Sequence, residues 1–191
     1  MLLQSVKDAG KRFVNLAINT DEEWNVIASE HPPLADALFP FTALGLLVCL
    51  LAFVAGYFLR TFRGFFAMEL LLTLAVYPLA AALFTLAASF LAGRMGAVRK
   101  ELSPVVCLYS FSPAWVLSAL NVIPVVSFGW LWLVISLIFI TIVFGKAAAN
   151  VIGIPPAKVV PFVALGVAAA ALPMLAFFLV KFLWLLGIDA A

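Results

Sequence analysis

Apolar positions run almost without a break from Asp36 to Gly187, while polar and charged positions crowd the first 35 residues. No soluble core of this chain length could cover so much apolar surface, so the pattern predicts lipid as the solvent for the block. Short turns and prolines cut it into five helical spans. The first runs from about Asp36 to Leu59, with Arg60 and Arg63 in a very short turn after it. The second runs from about Phe65 to Ala92 with Pro78 inside, and Gly93 to Ser103 forms a polar turn. The third covers about Pro104 to Val126 and holds Pro113 and Pro124. Ser127 to Gly129 leaves room only for a tight hairpin, and the fourth span runs from about Trp130 to Ala149. Asn150 to Lys158 is a turn, and the fifth span runs from about Val159 to Leu186. Each span has roughly 20 to 28 residues, enough for a hydrocarbon core of about 30 Å at about 1.5 Å per residue.

Residues 1–35 read as a wet or interfacial head, and residues 36–191 as the membrane domain. Leu2, Leu3, Val6, Phe13 and Ala17 recur at roughly helical spacing, with Lys7, Asp8, Lys11 and Arg12 between them. That spacing predicts a short amphipathic helix on the membrane surface. Thr20 with Glu23 three residues on is a capping-box pattern, and Asp21, Glu22 and Glu23 suit a helix N-terminus. Trp24, Ile27, Ala28 and His31 then share one face, and Pro32 and Pro33 end the helix. Trp24, just outside a span, is expected to be an interfacial anchor.

Composition agrees with this division and adds an orientation. Hydrophobic residues make up 66% of the chain and charged residues 10%, far from soluble averages. The net charge of +2 is too small to suggest nucleic acid. Only eight of the twenty charged side chains lie between Phe65 and Gly187. With a cytoplasmic N-terminus, the inner side carries Lys7, Lys11, Arg12, Arg94, Arg99, Lys100, Lys146 and Lys158. The outer side then carries Arg60, Arg63 and Lys181, and this bias predicts that orientation. An odd number of spans places the C-terminus outside. Cys49 and Cys107 fall in separate apolar runs and read as small hydrophobes rather than a disulfide. The first residues, MLLQSVKDAGKRF, lack the continuous apolar stretch of a secretory signal.

Ionisable groups inside spans are costly and are therefore the first functional candidates. Glu69 and Lys181 each lie about one turn inside the outer membrane face. They are placed to pair with each other, or Glu69 with Arg60 and Arg63. Lys146 lies near the inner end of the fourth span, level with Glu101; both lysines can instead snorkel to headgroups. Uncharged polar groups gather in the third span: Tyr109, Ser110, Ser112, Ser118 and Asn121. Pro113 removes its own donor and blocks the carbonyl of Tyr109, which Ser110 and Ser112 are close enough to satisfy. Such a kinked polar helix either lines a small cavity or only shapes the bundle. His31 with Glu30 and Asp36 makes a weak metal set, better read as solvated turn charges. Gly166 and the Ala168–Ala171 run give the fifth span a small-residue face, suited to close helix packing or to a homodimer. No phosphate loop, serine elbow or pair of buried carboxylates is present, so no cofactor and no enzymatic activity are expected.

Two stretches carry a family resemblance. One is Thr20-Asp21-Glu22-Glu23-Trp24-Asn25-Val26-Ile27-Ala28-Ser29-Glu30, ahead of the first span. The other is Leu108-Tyr109-Ser110-Phe111-Ser112-Pro113, followed by Pro124, a tryptophan-bearing span and Lys146-Ala147-Ala148. In this order, with five spans and a cytoplasmic head, the chain resembles the Yip1 domain family in its bacterial branch. The likeness covers roughly residues 15 to 175. In eukaryotes that family implies Golgi and endoplasmic-reticulum proteins that contact prenylated Rab GTPases and one another. Their Asp-Leu-Tyr-Gly-Pro stretch has its nearest match here in Asp36-Ala37-Leu38-Phe39-Pro40, without the Tyr-Gly pair. Rab binding is therefore not carried over.

The expected fold is all-α: a polytopic integral membrane protein of five transmembrane helices with a short interfacial head, in a bacterial inner membrane. The expected function is a non-enzymatic scaffold or membrane-organising component. Its partners would be membrane lipids and other membrane proteins or itself, not nucleic acid. The alternative is a small transporter or channel whose path is lined by the kinked third span and Glu69.

Overall fold

The computed structural model describes residues 8, 10–12, 14–16, 18–59, 72–118 and 129–185. Among them the chain is all-helical, with no strand. Helix α1 spans Thr20–Glu30 and α2 spans Leu34–Leu59. A π-helical turn, Leu72–Val76, leads into α3, Tyr77–Met95. A short 3₁₀ turn, Lys100–Leu102, precedes α4, Ser103–Ser118; α5 is Gly129–Asn150 and α6 is Pro156–Leu185. Three stretches are long and apolar enough to cross a membrane: Leu74–Met95, Leu131–Asn150 and Pro156–Val180. These helices carry broad apolar surfaces that face out of the bundle, as Leu86, Ile142 and Leu172 do. Outward-facing apolar side chains on a helix of this length are what a lipid environment requires.

Proline and glycine positions explain the element boundaries. Pro78 falls at the start of α3, just after the π-helical turn. It lacks an N–H, and its ring crowds the carbonyl four residues back, so a wider turn there relieves the clash. Gly96 takes the left-handed conformation that ends α3 (φ 82°). Pro156 is the first residue of α6, where a missing N–H costs nothing. The helix therefore begins a little before Val159, where the apolar run suggested. Pro161 and Pro173 also lie inside α6.

Helix α4 is the centre of the assembly. It packs against α2, α3 and α5, while α6 closes the bundle against α3 and α5. Val105, Val106, Cys107, Phe111 and Ala114 are buried on several sides of α4. Aromatic rings tie the helices together across it. Phe41 of α2 meets Trp115 edge-on at 5.5 Å, and Tyr77 of α3 meets Trp115 at 5.8 Å. Deeper along α4, Phe84 meets Phe144 edge-on at 4.7 Å, and Phe144 stacks on Phe162 at 5.2 Å. Such pairs add about 0.5–1.5 kcal/mol each beyond their buried area. Two glycines make room for these rings. A Cβ on Gly45 would stand 3.0 Å from the Trp115 ring. One on Gly166 would stand 3.0 Å from Phe144 and 3.3 Å from Phe84. The small-residue face of α6 thus serves packing within the chain at Gly166 and at the buried Ala170.

The turns at one end of the bundle are clasped together. The Val98 and Arg99 amides donate to the carbonyls of Gly153 and Ile152, at 3.4 and 3.0 Å. Lys158 Nζ donates to the Met95 carbonyl at 3.1 Å, capping the last turn of α3. The α3–α4 and α5–α6 connections therefore lie on the same side.

Candidate functional site

The site is the junction where the N-terminal head meets the bundle. Helix α1 forms where three acidic residues occupy its first turn and Pro32-Pro33 follow it. His31 ends it in the left-handed region (φ 46°), its amide donating to the Ile27 carbonyl. The capping box is not formed. Asn19 holds the cap position without a side-chain bond to the helix backbone, its side-chain amide donating instead to the Glu22 carboxylate, and the Thr20 hydroxyl donates back to the Leu16 carbonyl at 2.8 Å. The reason is that Asn19 is the cap (φ −132°, ψ 54°) and Thr20 already lies inside the helix; the Asn19 amide reaches the Asn15 carbonyl, and the Glu23 amide reaches that of Asn19. Thr20 finds a carbonyl one turn back, and the Glu23 carboxylate turns to other partners.

Two side-chain bonds join the head to the bundle, and a further set ties the head to itself. Trp24 and Ile27 are fully buried, and Ala28 is half-buried beside them. The Trp24 indole Nε1 donates to the Val143 carbonyl at 3.1 Å. The ring therefore sits inside the protein, against α5, and not among headgroups as the sequence position alone suggests. Asp21 accepts from Lys146 Nζ at 2.8 Å. The Arg12 guanidinium bonds to Glu30 and stands 3.8 Å from Glu23 Oε1, while Asn15 Nδ2 donates to Glu23 Oε2 at 2.8 Å. Burial would by itself lower the Arg12 pKa. The bond to Glu30 and the fields of Tyr109, Glu30 and Glu23 outweigh it and hold the guanidinium above its ordinary value. Arg12 is thus a permanent charge. Asp8, Lys11, Arg12, Asn15 and Glu23 line an open cleft of about 230 Å³.

The sequence-derived candidates are spread over two places. Tyr109, Ser110, Ser112 and Pro113 lie on α4, in the bundle centre. Ser112 Oγ donates to the Tyr109 carbonyl at 2.6 Å. That is the carbonyl Pro113 strips of its amide donor, so the hydroxyl repairs the break the proline makes. Ser110 is buried, and its hydroxyl has no hydrogen-bond partner among the described residues. Lys146 belongs to the head junction: it pairs with Asp21, and Glu101 is exposed. Of the rest, Glu69 and Asn121 lie outside the described residues, as do Arg60, Arg63, Pro124 and the Lys181 side chain. Cys107 is a free, buried thiol. Among the described residues no cluster of His, Cys, Asp and Glu could hold a metal ion.

The head cluster of Arg12, Asn15, Asp21 and Glu23 was not anticipated. Its signal was present: Asn15, Asn19 and Glu23 repeat at four-residue spacing, which places them on one helix face if the helix is read through residue 19. Comparison with protein-family models, with curated proteins and with solved structures finds no match.

Proposed function

We propose that this chain is a five-span integral membrane protein of Yip1 type, acting as a non-enzymatic scaffold in a bacterial inner membrane. The N-terminus would be cytoplasmic and the C-terminus outside. The three long apolar helices support the membrane assignment. The apolar block from Asp36 and the family resemblance support five spans. The orientation rests on the distribution of lysine and arginine.

The observation that carries the scaffold reading is the docked head. Trp24 and the Asp21–Lys146 pair fix α1 on the flank of α5. Asn25, Val26 and Ser29 are left exposed on its opposite face. A short helix held rigidly beside a bundle presents a fixed surface to a neighbouring membrane protein or to a second copy. The polar groups of α4 fit the same reading, since Ser112 is occupied in repairing the Pro113 break.

Reconstitution decides between scaffold and transporter. The scaffold reading predicts no flux above empty liposomes for a panel of ions and small metabolites. It also predicts an assembly larger than one chain in mild detergent, reduced by Val26→Glu. A pH- or voltage-dependent flux abolished by Glu69→Gln would overturn it in favour of transport.

A further inference from the structure

The geometry points to the head cleft as a binding site for one zwitterionic aminophospholipid headgroup, phosphate against Lys11 and Arg12 and ammonium against Glu23 and Asp8. The inference rests on the membrane reading above but not on the scaffold reading.

Two donors lining the cleft remain available. Arg12 Nη1 is buried and makes no hydrogen bond among the described residues, its nearest carboxylate oxygen being 3.8 Å away. Lys11 is exposed and has no partner among the described residues. Two adjacent cationic donors suit a phosphate oxygen. Glu23 and Asp8 place carboxylates in the same cleft. Glu23 spends one oxygen on Asn15, and each carboxylate oxygen can accept a second bond. A simple anion would meet repulsion from Glu23 and Asp8, whereas a zwitterion offers a group to each charge. A primary ammonium can donate hydrogen bonds to these carboxylates; a quaternary one cannot.

The position favours a lipid over a soluble ligand. The head does not sit beyond the end of the bundle. Trp24 reaches Val143, seven residues before the end of α5 at Asn150, or about 10 Å along the helix. The cleft therefore opens on the flank of the bundle, near headgroup depth. Beside it Val14 is 49% exposed. An amphiphile covers such surface with acyl chain while its headgroup fills the cleft.

The test is native mass spectrometry of the full chain in detergent doped with equal amounts of phosphatidylethanolamine, phosphatidylcholine and phosphatidylglycerol. The expected result is preferential retention of one phosphatidylethanolamine. Lys11→Glu, at an exposed position that ties no helix, should weaken that retention at least about tenfold, the effect of one charge-assisted contact. Arg12→Lys, which keeps the charge but loses the fork, should weaken it less. Displacement by free O-phosphoethanolamine would uphold the cleft and assign it a soluble ligand of the same chemistry. Equal retention of the three lipids, or retention unchanged in Lys11→Glu, would overturn the inference. None of these outcomes depends on whether the protein assembles with partners.

Discussion

Replacing Trp24 with alanine removes the largest single contact between head and bundle. The ring has no exposed surface, and its Nε1 donates to a helix carbonyl 119 positions away in the chain. Truncating a buried tryptophan costs about 3–5 kcal/mol. An undocked ring would settle in the headgroup layer, which returns part of that figure. The lower end, about 3 kcal/mol, therefore applies. It raises the equilibrium constant for head opening about 10²-fold. Trp24→Phe keeps most of the ring and loses only the donor, at about 1 kcal/mol or about fivefold. Amide hydrogen exchange in nanodiscs reads both numbers. Amides of Thr20–Glu30 should exchange about 10²-fold faster in Trp24→Ala and about fivefold faster in Trp24→Phe. Amides of α3 and α6 should not change. Unchanged exchange in Thr20–Glu30 would refute the docking argument. Uniform acceleration across all helices would show instead that Trp24 supports the whole bundle.

Other perturbations test other parts of the structure. Ser112→Ala leaves the Tyr109 carbonyl unsatisfied beside Pro113 and should cost about 1–3 kcal/mol, seen as a lowered thermal midpoint. The Ser112→Ala, Pro113→Ala pair restores the backbone donor and should recover much of that loss. Gly45→Ala puts a methyl against the Trp115 ring and should destabilise by about 1–3 kcal/mol, while Gly93→Ala, in open space, should be neutral or slightly stabilising. Asp21→Lys breaks an exposed pair worth about 0.2–1 kcal/mol. Its effect on head exchange should shrink at high salt and be reversed by Lys146→Asp.

Much of the helical layout was legible because lipid demands long apolar runs and helices to carry them. The end of α1 follows from Pro32 and Pro33, whereas Pro156, read as part of a turn, is the first residue of α6. The repair of the Pro113 break by a nearby serine was also legible, since proline chemistry names the carbonyl that loses its donor. What the chain order concealed was long-range. Trp24 has the flanks of an interfacial anchor, yet its donor finds a carbonyl in α5, and spacing within residues 20–30 carries no trace of Val143. Lys146 looked level with Glu101, but the docked head brings Asp21 closer. The capping-box pattern at Thr20 failed because it assumes Thr20 to be the cap, and here Asn19 caps the helix one residue earlier. Local pattern thus described each helix, whereas the head junction depends on which helices meet.

The most direct test of the membrane account is single-cysteine labelling in a background lacking Cys49 and Cys107. Ile18 and Val98 are highly exposed, and Lys158 and Ala191 complete the set. With an impermeant reagent on right-side-out cells, the account predicts labelling at Ala191→Cys alone, with Ile18→Cys, Val98→Cys and Lys158→Cys labelled only after permeabilisation. Labelling of Ile18→Cys and Val98→Cys from opposite sides, or of Ile18→Cys and Ala191→Cys from the same side, would contradict it.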